Sequence, residues 1–177
     1  MIRERLNLLS APAIEPVTVA EAMTHMRINA EDELALIFGQ LRAARQMVEN
    51  WTGRALISQT WRWVLDAWPG NAGNEWRDGL RQSAICAGSK RFIEMPKAPL
   101  VSVSLVTLFN DADQGAVWAA GNYFADTAGV PGRLVLRNAA SVPLPQRAAN
   151  GLQIDFICGY GAAPGDVPAP LRQAILM

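Results

Sequence analysis

One histidine and two cysteines are what this chain of 177 residues brings to nucleophilic or metal chemistry. His25 lies beside Met26 in a short amphipathic stretch, with no Ser, Cys or acid at a triad-like spacing, so a structural histidine is the better reading than a catalytic base. Cys86 and Cys158 are far apart in apolar, strand-like runs; with a single histidine they cannot build a zinc site of any common spacing. They read as two small buried side chains in a reducing compartment. Asp111-Ala112-Asp113-Gln114-Gly115 has the opening of a calcium loop, but its glycine comes fifth instead of sixth and Asn122 stands where the twelfth-position glutamate belongs. A polar hairpin turn explains it. Gly159-Tyr160-Gly161 lacks the third glycine of a dinucleotide fingerprint, Pro164 occupying that place, and reads as a backbone turn. Glu31, Asp32 and Glu33 are adjacent on a helix and point in different directions, which suits a helix start and not a cation. No catalytic set, cofactor site or metal site is expected, and the chain reads as a non-enzyme.

The elements that frame these residues begin with the segment Glu31 to Arg54. Leu34, Ile37, Phe38, Leu41, Ala44, Val48 and Trp51 recur at three- and four-residue steps, predicting a long amphipathic helix with Arg42, Arg45, Gln46 and Glu49 off its apolar stripe. Asn29 is the candidate N-cap and Gly53 the stop. Upstream, after an irregular, proline-marked start, Thr18 and Glu21 form a capping box opening a short helix over Val19 to Arg27. Its stripe is Val19, Ala22, Met23 and Met26. A tight turn near Ile28 to Ala30 would fold the two helices into a hairpin.

Past Gly53 the period becomes two. Trp61, Trp63 and Leu65 alternate with Thr60, Arg62 and Asp66 in a half-buried strand ended by Pro69-Gly70. Gly70 to Ser83 reads as an exposed loop with Trp76 as an anchor. Further strands are predicted over Arg91 to Met95, Val101 to Phe109, Tyr123 to Asp126, Arg133 to Arg137 and Leu152 to Cys158. Asp166 then caps a terminal helix with Pro168 in its first turn and Leu171, Ala174 and Ile175 on its stripe.

The fold class is therefore α+β: a single domain over 1–177, with an N-terminal helical hairpin (18–54) and a C-terminal helix (166–177) around an inserted antiparallel sheet or small sandwich (56–160). Half the residues are hydrophobic and 18% are charged, fewer than usual, so much apolar surface has to be covered by self-association or a partner. Sixteen basic and sixteen acidic residues cancel, which disfavours tight nucleic-acid binding. No apolar run approaches a membrane span or a secretion signal. Of the six tryptophans, Trp51, Trp61 and Trp63 fall on inferred core faces; Trp68, Trp76 and Trp118 lie near turns, where large rings serve interfaces. The same three rings support an alternative, a β-sandwich module binding a carbohydrate or other ligand on a helical stem. A small hydrolase built on His25 ranks below it.

The ordered set of MTHMRI, an acidic DEL opening the long helix, VENWTGRALISQTW, a WPG turn, MPKAPLVSVSLV, YFAD and IDFICGYGAAPGDVPAPLRQAIL resembles the head-tail connector, or adaptor, proteins of long-tailed bacteriophages and phage-derived gene transfer agents. The likeness spans nearly the whole chain; Gly70 to Gly88 is longer and more polar than the family pattern. The resemblance implies a homo-oligomeric ring, commonly of twelve subunits, under the portal protein in the neck of the particle, assembled in a bacterial cytoplasm. DNA would pass through its channel without specific binding, and a neck or tail-completion (stopper) protein would meet its lower surface. Carried over by position, Pro168, Leu171, Arg172, Ile175 and Leu176 would face the portal, with Leu171→Asp or Ile175→Asp abolishing attachment and sparing the fold. Arg42, Arg45, Trp68, Trp76 and Trp118 are the inter-subunit candidates.

Overall fold

The computed structural model describes residues 5–28, 33–68, 91–137 and 140–177, together with the backbone of two short strands at 76–77 and 80–81. In chain order the elements are β1 (Arg5–Ser10), α1 (Val19–Met26), α2 (Leu34–Thr52), β2 (Gln59–Leu65), β3 (Trp76–Arg77), β4 (Leu80–Arg81), β5 (Phe92–Glu94), β6 (Leu100–Phe109), β7 (Gly115–Val117), β8 (Tyr123–Asp126), β9 (Arg133–Leu136), β10 (Leu152–Cys158) and α3 (Ala169–Leu176). The α+β class holds. Asn29, Glu31, Asp32, the Gly70 to Ser83 loop apart from its β3–β4 pairing, the Trp76 ring and Cys86 lie outside the described residues.

Five antiparallel strands form the main sheet in the order β1-β2-β10-β6-β7, and β5-β9-β8 form a second. Period-two alternation aims one side of each strand into the space between the sheets. Trp63, Ile154 and Val106 sit side by side across three strands, and Leu65, Leu152 and Leu108 make the next row. Ile93, Leu134, Leu136 and Tyr123 of the smaller sheet join the same core. On the other side of β2 and β10, Arg62 reaches its cross-strand partner Asp155 through two hydrogen bonds of 2.7 and 2.8 Å, a fork-to-carboxylate geometry. Asn110 closes the β6–β7 hairpin by accepting from the backbone N–H groups of Ala112 and Gln114. The Asp111 to Gly115 run is therefore a turn.

The start of the chain departs from expectation. Residues 5–10 form an edge strand paired with β2, so the sheet takes up a strand that precedes the helices. Leu6 packs on the core while Leu8 and Leu9 remain exposed, and this broken alternation hid the strand.

A second core binds the helices. Val17, Ala22, Ile37, Leu41, Leu56, Ile57, Val167 and Ile175 are buried together. The Thr18–Glu21 capping box is present, with Glu21 N–H donating to the Thr18 hydroxyl at 3.2 Å and Thr18 N–H to the Glu21 carboxylate at 2.8 Å. α2 begins after Glu33, which makes no side-chain cap, and stops at Gly53, whose φ of 66° is the left-handed turn a glycine adopts without strain. The helices lie at the end of the sheet where β2 starts: Arg54 bridges Ala98, and Ser58 N–H donates to Gly161 O at 2.9 Å. Gly159, at φ 137°, presses so close to Ile57 and Ser58 that an added Cβ would come within 2.6 Å of backbone, which explains the Gly-Tyr-Gly turn on packing grounds.

Candidate functional site

α3 packs against α2 through the stripe that the connector resemblance assigns to the portal. Ile175 is buried, Leu171 and Leu176 are half-buried against the helical core, and Pro168 is exposed. Arg172 donates through Nε to Pro16 O at 2.9 Å and pairs with Glu21 through Nη2. The Thr18 backbone N–H, aided by the Thr18 hydroxyl and Arg172, holds Glu21 below the usual carboxylate range against an opposing burial effect. Two expectations change here. Ile175→Asp would put a charge into the subunit's own core, so it cannot spare the fold. Asp166 does not cap α3, which starts behind Pro168; its carboxylate instead accepts from Ala163 N–H at 2.9 Å in the preceding turn.

Behind α2 lies a buried polar cluster that helical periodicity did not reveal. Arg45 and Glu49, expected off the buried stripe, are each 5% exposed. Arg45 contacts Glu15 through Nε at 2.7 Å and Glu49 through Nη1 at 2.6 Å. The second oxygen of Glu49 accepts from Leu56 N–H at 2.9 Å and from the Gln59 amide at 2.6 Å, and Gln59 in turn accepts from Trp61 Nε1 at 3.2 Å. These groups satisfy one another, as burial of charge requires. Arg45 is therefore an internal tie and not an inter-subunit contact. Arg42 is exposed and lines, with Ile14, Phe38 and Pro164, a recess of about 580 Å³.

The tryptophans exchange roles. Trp68 and Trp118 are 1% and 8% exposed and meet edge to face at 5.4 Å between ring centres, Trp68 Nε1 donating to Pro143 O at 2.7 Å. Both rings are core side chains, unavailable to a neighbouring subunit or to a carbohydrate. Trp63 is core as expected, and Trp61 is half-buried with Lys97 4.7 Å above its ring. Trp51, expected in the core, is 91% exposed.

His25 is exposed in the last turn of α1. Burial pushes the Cys158 thiol up to about 12, so it stays protonated at neutral pH and is no nucleophile. Among the described residues no group of three or more His, Cys, Asp or Glu stands close enough to hold a metal ion, and no helix is long and apolar enough to cross a membrane. The geometry holds backbones and charges in place; what it leaves open is surface.

No protein-family model and no curated protein matches the chain. Solved structures do. A chain of the virion of the native gene transfer agent (GTA) particle is 27% identical with a TM-score of 0.72, the match covering 97% of this chain and 80% of that one. A chain of the neck of the empty GTA particle, computed with C6 symmetry, is 26% identical at a TM-score of 0.74, covering 97% and 79%. A chain of the neck of the native GTA particle, computed with C12 symmetry, is 25% identical at 0.69, covering 97% and 78%.

Proposed function

We propose that this chain is a structural, non-enzymatic component of the neck of a phage-like particle: a head-tail connector whose copies form a ring, twelve in number, beneath the portal. The ring extends the DNA channel from the capsid vertex and presents its lower surface to a tail-completion protein. The observation that carries this reading is the likeness of fold over 97% of the chain to a neck chain at 26% identity.

Charge placement supports it. Arg5, Arg62, Arg133 and Arg147 are paired with Asp66, Asp155, Asp126 and Asp113, and the guanidinium groups of Arg54 and Arg137 lie over the rings of Tyr160 and Phe124. Cations engaged in this way grip phosphates weakly, which suits a channel through which DNA has to slide. For portal attachment the exposed Pro168 and half-buried Leu171 at the start of α3 are the remaining candidates, with Arg172 and Leu176 behind them.

Mixing the protein with the portal protein of its own particle and imaging by negative stain tests the reading. A ring added to one end of the portal is the expected product. Two components that stay separate at micromolar concentration would refute it.

A further inference from the structure

The apolar stripe of α3 seats the helix on the helical core through Leu171, Ile175 and Leu176. Apolar contact has no direction, so the stripe alone would let the helix turn or slide. Nothing local fixes its start. Pro168 precedes it without a side-chain hydrogen bond to the first turn, and no acid stands in that turn. Among the described residues, Arg172 carries the side-chain hydrogen bonds of α3. Its Nε donates to Pro16 O at 2.9 Å, an acceptor on a fully buried residue, and its Nη2 reaches Glu21 Oε1. Glu21 is itself held, its other oxygen accepting from Thr18 N–H at 2.8 Å and from the Thr18 hydroxyl at 3.0 Å. One planar fork therefore ties α3 both to the capping box of α1 and to the segment before it. Two acceptors on different segments set the rotation and the height of the helix together, which a single point charge could not do.

We propose that Arg172 is a positioning residue for portal attachment and not a contact: its clasp on Glu21 and Pro16 fixes the rotation of α3, so that Pro168 and Leu171 are presented in one pose. The inference rests on the portal reading above. It moves Arg172 from the portal contacts that the connector resemblance assigns to the subunit's own framework. Leu171 immediately precedes Arg172, and the N–H groups of both donate to Pro168 O, at 2.9 and 3.2 Å. Any turn of the guanidinium about its two acceptors is thus carried straight to the two residues left open for a partner. A helix held in one pose loses less freedom on binding than one that wanders. The side chains of the ion pair are 30% and 44% exposed, so the pair adds little to the stability of the subunit. A tie that weighs little in folding and much in orientation is what a positioning residue requires.

The test uses the full chain with Arg172→Ala, Arg172→Lys, Glu21→Gln and the double change of Glu21→Gln with Arg172→Ala. Glutamine can keep the capping box, and Glu21 lies on α1, outside the portal candidates. Attachment to the portal protein of its own particle is titrated by sedimentation, beside circular dichroism, melting temperature and hydrogen exchange of the α3 amides. Arg172→Ala is expected to weaken attachment about tenfold, Arg172→Lys nearly as much and Glu21→Gln about threefold. The α3 amides should exchange faster while the dichroism stays that of wild type. The double change should do no more than Arg172→Ala, since both act through one clasp. Wild-type attachment by Arg172→Lys or Glu21→Gln, or effects that add in the double change, would overturn the inference and leave the portal reading standing. Tighter attachment by any variant would overturn it in favour of a latch that holds α3 back. Loss of the wild-type dichroism in Arg172→Ala and Glu21→Gln alike would reduce the clasp to a tie of the fold and sink the inference. Wild-type protein that never attaches to portal refutes the portal reading and the inference together.

Discussion

Around Phe156 the core between the sheets closes with apolar side chains, whereas around Arg45 the helical core is bounded by ions and leaves the far side of its principal helix bare. Phe156, Ile154, Leu152, Val106 and Leu134 are all fully buried. The helical core is smaller and shares its boundary with Glu15, Arg45, Glu49 and Gln59. The difference separates two kinds of packing. The sheets bury the larger apolar core, and the helical layer is joined to them by its own smaller core together with the hydrogen bonds of Glu49.

If that division is right, substitutions should rank accordingly. Phe156→Ala, which empties the middle of the sheet core, is expected to cost about 4 kcal/mol in urea unfolding; a loss under about 1 kcal/mol would mean the sheets are not the stabilising half. Arg45→Ala leaves two buried carboxylates without their cation and should cost about 3 kcal/mol. Arg45→Met, an apolar replacement that still leaves the two acids behind, should fare no better than alanine in the same urea unfolding. Thr18→Ala removes the cap of α1, for a loss of about 1 kcal/mol in thermal unfolding.

A smaller effect comes from pH. Hydrogen bonds from Arg133 and the Ala128 N–H hold Asp126 below its usual range, and Glu21 is lowered as described. A depressed carboxylate stabilises the folded state above its unfolded value, and that contribution disappears as pH falls through the folded one. Stability should therefore decline from about pH 4 downward, and Asp126→Asn, compared with wild type, should flatten that part of the curve. Trp51→Asp stands last: its effect on stability should stay within about 0.5 kcal/mol, as for other exposed positions. A large destabilisation by Trp51→Asp would erase the distinction between the two regions.

Local chemistry made much of this legible before any coordinates. Thr18 and Glu21 announce α1 through their spacing, Gly53 ends α2, the Gly129 to Gly132 turn marks β8 at Tyr123–Asp126 beside β9, and strict alternation places β10 at Leu152–Cys158. What escaped was set by contacts distant in sequence. Arg45 and Glu49 are charged, so periodicity assigns them to water; their mutual pairing, together with Glu15, Leu56 N–H and Gln59 from other segments, makes their burial tolerable. Trp68 and Trp118 adjoin turns and yet meet edge to face from positions fifty residues apart. Trp51 fits the buried stripe by spacing, but at the last turn of α2 it is left exposed, no described residue covering it.

The Glu49 carboxylate has a mechanical consequence. One side chain grips the helix through Arg45, the connecting turn through Leu56 and the first residue of the strand through Gln59. The contact to Arg45 stays within α2, so a rocking of the helices over the sheet would have to stretch the other two grips together, which stiffens the junction. Shape change in an assembly of such units would have to be taken up by slippage between rigid bodies, leaving the inside of each one undeformed.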